Sequence, residues 1–297
     1  MSSPEVLVRP MRPDDVAAAE RLTAEGYHDL DLRTHQRGRP EPVLRPAARG
    51  AAWTARTAHL LGTDPGGCWV AEVDDELVGV AVSFTRELMW ILASYAVRPG
   101  SQGLGIGLQL MAAALHHGRG CLRGMVAASA DPRAVRRYRL AGFELHPQMV
   151  LWGTVPREAL PVVERVREGS LGDVDLMDSV DRRTRGAAHG PDHALLASQF
   201  RLLVADRPSG SGYVYVDGDG APVLVAATTR RTATDLVWSA LAATDPDVPV
   251  EIDHVTAANQ WAIDVGMACR MELRQRGYLA LRHLRPPAPY LHHGSLL

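Results

Sequence analysis

The chain alternates short apolar runs with longer stretches in which apolar residues recur at helical spacing. Glu5–Arg9 reads as a first strand, and Arg12-Pro-Asp-Asp15 as a helix start with Pro13 and two acids in the first turn. The helix is predicted over Val16–Glu25. From Gly26 to Pro46 the pattern dissolves around His28, His35, Arg37, Arg39 and three prolines. A second helix is predicted over Ala47–Leu61. Cys68–Val73 and Leu77–Phe84 read as strands of a hairpin closed by Asp74-Asp75-Glu76. Leu88–Val97 is a long apolar strand, and a helical pattern of Leu108, Leu110, Met111, Ala114 and Leu115 follows it.

Beyond a short strand at Gly124–Ser129, the second half repeats this alternation more loosely. Asp173–Arg185 and His193–Ala205 are expected as helices. Tyr213–Val216 and Pro222–Thr228 are expected as strands around the turn Asp217-Gly-Asp-Gly220. Asp235–Ala243 is expected as a helix capped by Thr234, Val250–Val255 and Leu273–Leu284 as closing strands. With 297 residues, two domains are expected, 1–155 and 156–297, joined across Pro147, Pro156 and Pro161.

The chemistry concentrates between the long strand and its helix. Arg98-Pro-Gly-Ser101 breaks the strand, and Gln102-Gly103-Leu104-Gly105-Ile106-Gly107 leads into the helix. The first amides of a helix lack partners within it, and its dipole favours an anion by ~0.3–1 kcal/mol. Glycines at 103, 105 and 107 would let a pyrophosphate approach the backbone. A P-loop would close on Gly-Lys-Ser or Gly-Lys-Thr, and the chain holds no lysine at all. A dinucleotide fingerprint needs a different step between its glycines.

The spacing Gln-x-x-Gly-x-Gly after Val97-Arg-Pro resembles the acyl-CoA loop of the GNAT superfamily of N-acetyltransferases. A second signature of that family, Asn-x-x-Ala-x-x-x-Tyr-x-x-x-Gly-Phe, is matched by Asp131, Ala134, Tyr138, Gly142 and Phe143, with Asp131 in place of Asn. Asp can still cap a helix. The resemblance covers Val6 to about Trp152 and implies a mixed α/β sheet of the GNAT acyltransferase fold. Asn259-Gln-Trp-Ala262 is similar to the second signature, so two tandem copies are expected. The later copy lacks the glycine loop: Thr229–Thr234 contains no glycine, and coenzyme A binding is not expected there.

The resemblance also implies a site. Amides of Gln102, Gly103, Leu104, Gly105, Ile106 and Gly107 would hold the pyrophosphate of acetyl-CoA, a co-substrate. Main-chain groups of Tyr95, Ala96 and Val97 would meet the pantetheine and the thioester oxygen, and Asp131 belongs to the cofactor-binding set. Tyr138 would reprotonate the departing thiolate. The phenol and thiol differ by about 2 kcal/mol in the unfavourable direction, which a site can offset. A base for the attacking amine is not singled out: Glu72, Glu87, His28, His35 and the carboxylate of Leu297 are the groups to consider.

Composition narrows the partners. Apolar residues make up 46% and the net charge is −2, which offers no attraction for nucleic acid or an anionic membrane. Every basic residue is arginine. The start has no signal-peptide pattern, and Leu88–Val97 is about half the length a membrane span needs. The three scattered cysteines suit a reducing compartment. A soluble, cytoplasmic monomer or homodimer is expected. His189-x-x-x-His193 has metal spacing only if helical. Gly190 and Pro191 intervene and no carboxylate-rich partner is evident, so no metal is expected. Acetylation of a small-molecule amine is the leading reading. A protein lysine or N-terminus as acceptor, and a noncatalytic acyl-CoA-binding protein, are the alternatives.

Overall fold

Strand β1 (Leu7–Pro10) opens the chain in the computed structural model, which describes residues 5–35 and 40–297. Positions 1–4, 37 and 39 of the sequence reading lie outside these residues. The chain divides into two compact units: Met1–Thr85 with Trp90–Leu122, and Arg86–Met89 with Arg123–Leu297.

In the first unit, α1 (Val16–Thr34) runs nine residues past the expected end at Glu25. Leu30 keeps the buried stripe of Ala19 and Leu22 going, and Asp29 pairs with Arg33 one turn on. His28 is therefore helical. Helix α2 (Ala47–Thr63) buries Trp53, Thr57 and Leu60. Strands β2 (Cys68–Val73) and β3 (Glu76–Arg86) form the expected hairpin, with Asp74 and Asp75 at positive φ in its turn. β4 (Met89–Val97) follows, and the strands lie in the order β1-β2-β3-β4. Helix α3 (Ile106–His117) packs on this sheet where Gly79 has no side chain: a Cβ there would stand 2.7 Å from Leu110 and 3.1 Å from Ile106. Trp90 Nε1 donates to Ala114 O at 2.9 Å and fixes the far end of the helix.

The second unit contains β5 (Arg123–Ala128), α4 (Pro132–Leu140) and β6 (Glu144–Gly153). β6 is paired on both sides by strands from the end of the chain. A second sheet begins with β7 (Arg167–Glu168), and α5 (Val174–Thr184) and α6 (Asp192–Gln199) follow. The sheet continues with β8 (Arg201–Arg207), β9 (Gly210–Val216) and β10 (Pro222–Ala227). The helix expected over His193–Ala205 thus ends at Gln199. Leu202–Ala205 is an unbroken buried run, whose spacing does not separate helix from strand, and it pairs with β9. Helix α7 (Arg230–Leu241) starts earlier than expected: Thr229, not Thr234, caps it by accepting from Thr232 N at 3.2 Å.

β11 (Val250–Thr256), α8 (Gln260–Ala268) and β12 (Glu272–Arg282) return to the strands of the first half. β12 pairs antiparallel with β5 and with β6, and β11 with the other edge of β6. β13 (Tyr290–Leu291) completes the second sheet beside β10. The second half therefore supplies strands to both sheets of this unit.

This unit buries several polar groups. Arg86 and Asp192 form a fork at 2.8 and 2.5 Å, and both are almost wholly enclosed. Arg185 is fully buried and donates to main-chain oxygens of Ala187, Ala188 and Leu297. His254 and His292 stack with ring centroids 4.1 Å apart. His292 Nδ1 donates to His293 O, and Nε2 meets Gln148 Nε2, so the ring is held as the neutral tautomer. Burial pushes His254 down to about 3 and His292 well below its ordinary range.

An acid-sensitive unit follows from this. The folded rings resist a proton that the unfolded chain takes up near pH 6.5. Their contribution is complete above that pH and declines at about 1.4 kcal/mol per unit for each ring as the pH drops toward 3. The buried Asp253 carboxyl, raised by desolvation, offsets part of this at the acid end. Urea melts between pH 7.5 and 4.5 are expected to show falling stability, and His254→Asn to flatten the slope.

Candidate acyl-CoA site

Strand β4 is enclosed from Met89 to Ser94 and emerges at Tyr95. Past Val97 the chain leaves the sheet: Arg98 N donates to Val78 O and Ser101 N to Arg98 O, closing a turn with Gly100 at φ +89°. Gln102 Nε2 reaches back to Val97 O at 3.1 Å and ties the loop to the strand end. Gly103 and Gly105 follow at φ +89° and +81°, and nothing stands within 4 Å of where their Cβ would be. Left-handed backbone, not crowding, demands glycine at these two positions.

Gly107 has another reason. Its Cβ would stand 2.5 Å from the Tyr95 hydroxyl, which donates to Gly107 O at 2.7 Å. That bond staples the exposed end of β4 to the first turn of α3. Ile106 is buried as the anchor, while Gly103, Leu104 and Gly105 face solvent.

The hydrogen-bond ladder of α3 begins with Leu108 and Gln109, which donate to Gly105 O at 3.0 and 3.2 Å. Among the described residues, the amides of Gly103 to Gly107 have no hydrogen-bond partner. Five donors thus stand at the positive end of a twelve-residue helix, on an exposed loop with two open glycines. The arrangement fits a diphosphate: the charge, the donors and the lack of side chains all suit it.

On the same unit, α1 and α2 carry groups that the sequence reading did not select. The Tyr27 hydroxyl is hydrogen-bonded by the Tyr95 main chain. Arg45, fixed by Glu20 at 2.7 Å and Thr23 at 3.1 Å, lies over the rings of Tyr27 and Trp53. Burial brings Arg56 down to about 10. Trp53 Nε1 and His28 Nδ1 are enclosed without a partner among the described residues. Trp53 and Arg56 are three apart on a helix, a spacing that puts them on one face, but their neighbours on α1 come from tertiary packing.

The base candidates fare unequally. Glu72 is bonded to Arg9, which Asp15 also holds. Glu87 accepts from Arg182 at 2.7 Å, and His35 lies 3.9 Å from Glu41. The main-chain oxygen of Leu297 accepts from Arg185. His28 is the candidate with a ring nitrogen left enclosed and unpaired.

Asp131 and Tyr138 lie in the second unit, at the two ends of α4. Asp131 caps the helix by accepting from Arg133 N at 2.8 Å, the job Asn would do there. Tyr138 is 5% exposed, and its carbonyl accepts from Ala141 and Phe143 amides. Phe143 is buried against Gly124 of β5.

A strand, a left-handed glycine loop and a helix whose first amides are unpaired among the described residues together make a site suited to an anion. Residues 28–143 match the Acetyltransferase (GNAT) family. Across the whole chain, a putative acetyltransferase from Pyrococcus horikoshii shares the fold, with TM-score 0.75, 17% identity, 100% of this chain and 96% of that one. GCN5-related N-acetyltransferases from Kribbella flavida (TM-score 0.61, 14% identity, 95% and 72% covered) and Sphaerobacter thermophilus (0.56, 16%, 95% and 96%) are also similar. No curated protein matches the sequence. Among the described residues, no helix is long and apolar enough to cross a membrane.

Replacing Gly105 by Val forces a β-branched residue into the left-handed region at a cost of ~1–2 kcal/mol. Gly105→Val is expected to lower the melting temperature and weaken coenzyme A binding at least tenfold by calorimetric titration. Gly218→Ala, on an exposed turn with open space around it, should change neither.

Proposed function

We propose that this protein transfers the acetyl group of acetyl-CoA to a primary amine of a small molecule, by direct attack in a ternary complex. The observation that carries the reading is the row of unpartnered amides at Gly103–Gly107, inside the segment that matches the acetyltransferase family. These amides hold the pyrophosphate, and the exposed end of β4 at Tyr95, Ala96 and Val97 receives the pantetheine. A main-chain N–H of that strand meets the thioester oxygen as charge develops on it.

The amine must lose a proton before it attacks. For an amine with a pKa near 10.4 that costs roughly 4–5 kcal/mol at pH 7. His28, whose ring nitrogen is uncommitted, takes this proton directly or through water. Tyr138 returns a proton to the thiolate, so the tetrahedral intermediate collapses forward. The second half is read as a further copy of the fold without a nucleotide site. Its β10 passes to α7 through Thr228 and Thr229 alone, with no glycine to open the backbone.

Thiol release from acetyl-CoA, measured over a library of small amines, tests the proposal. Turnover is expected on at least one amine. Tyr138→Phe should lower kcat by about 10²-fold with little change in KM for acetyl-CoA. Stabilisation by acetyl-CoA without turnover on any amine or peptide would leave a binding protein instead. Absence of both would end the reading.

A further inference from the structure

Far along the chain from the glycine loop, the second unit encloses an imidazole–carboxylate cluster that acetyl transfer does not use. Asp181 on α5, His189 in the turn before α6 and His193 in its first turn are each fully buried. The structure thus supplies the carboxylate that was not evident beside His189-x-x-x-His193 in the sequence. One ligand atom from each of the three lies within 4.8 Å of the others.

Among the described residues, the cluster leaves Nε2 of His189 and of His193 without a well-aligned hydrogen bond. His189 Nδ1 stands 2.7 Å from Asp181 Oδ2 and needs a proton there, which leaves Nε2 bare. That Nε2 is enclosed with no partner. Tyr215 has one hydroxyl hydrogen, sought both by His193 O at 3.3 Å and by His193 Nδ1 at 3.2 Å. Given to the carbonyl, it leaves the ring proton on Nδ1; given to Nδ1, it leaves the ring proton on Nε2, facing the carboxylates. In either case His193 Nε2 stands 3.4 Å from Asp181 Oδ2 and 3.3 Å from Asp178 Oδ1 without a well-aligned hydrogen bond, and these two carboxylate oxygens beside one imidazole nitrogen leave room for a cation. Tyr213 donates to Asp181 Oδ1 at 2.5 Å, and Gly190 N to Asp178 Oδ1 at 3.0 Å, so both carboxylates are oriented from outside.

We infer that Asp181, His189 and His193, with Asp178 as fourth ligand, hold a zinc-class divalent cation as a structural site. A tetrahedron with bonds of ~2.0–2.1 Å has edges of about 3.3–3.4 Å, the two separations found around His193 Nε2. Two imidazoles and two carboxylates suit zinc among the available divalent ions, and the two carboxylates neutralise its charge. The cation would replace the proton between His189 Nδ1 and Asp181 Oδ2, so Nδ1 is the ligand atom, the 2.7 Å gap opens to the tetrahedral edge and the ring proton passes to Nε2. Arg185, the nearest buried cation, is committed to main-chain oxygens of 187, 188 and 297, and the ion need not compete for them. Asp181 and both histidines are fully buried, and with Asp178 at the fourth position the ion has no open site for chemistry. Its work is to tie α5, the turn at His189 and the first turn of α6 together.

The test is metal analysis of full-length protein purified without chelator or histidine tag. About one equivalent of zinc per chain is expected, and a His189→Gln, His193→Gln variant should retain under a tenth of it. Should that variant fail to fold, the unaltered protein is unfolded in denaturant with a chelator, then refolded with and without Zn²⁺ or Co²⁺. Zinc should raise the melting temperature, and Co²⁺ should give the intense visible bands of a tetrahedral site. Metal-free protein that folds fully, gains no stability from Zn²⁺ and shows no tetrahedral Co²⁺ spectrum overturns the inference.

Discussion

Five consecutive main-chain amides, without acceptors among the described residues, are the constraint on which the glycine loop of this protein depends. A chain does not leave such donors idle unless the backbone is kept from folding over them. Here α3 cannot be extended backward, because Gly103 and Gly105 turn into the left-handed region and lead the chain away. Two side chains then hold the loop open from opposite ends. Gln102 grips the carbonyl of Val97, and Tyr95 grips that of Gly107. The loop is braced by the strand before it and the helix after it, and its own residues contribute little packing beyond Ile106.

That bracing reaches into the sheet. The helix can lie close enough to present its first turn at the end of β4 only because Gly79 on β3 leaves room for Ile106 and Leu110. Trp90 donates to Ala114 O, which fixes the helix along its axis, and the Ser83 hydroxyl lies between Ala114 O and Gly67 O. Displacement of the donors by an ångström would require several packed contacts to shift together, which close-packed interiors resist. Preorganisation of this kind lets fixed dipoles act on a bound anion without rearrangement.

The second unit shows the opposite economy. Its interior takes in Arg86 with Asp192, Arg185 with main-chain oxygens, and two groups of histidines. A buried charge or imidazole is tolerated when each of its hydrogens and lone pairs has a partner. Where two such rings also gather around carboxylates, as His189 and His193 do at Asp181, the cluster has the make-up of a cation site. Where the ring is merely kept neutral, as at His254 and His292, the consequence is a stability that depends on pH.

The sequence by itself determined the features that depend on neighbours a few residues away. The strand ending at Val97, the glycine spacing over 102–107, the Asp131 cap and the Asp74-Asp75 turn are all written in local steric preference. Local spacing misjudged α1, whose stripe continues through Leu30, and β8, whose fully apolar run fits either periodicity. Only the tertiary structure decided that β12 lies between β5 and β6, and that a side chain at 107 would collide with Tyr95. It also joined Asp181 to Tyr213, 32 residues on, beside two histidines. Strand partners and buried polar groups are chosen by contacts distant along the chain, and residue order alone carries no measure of those distances.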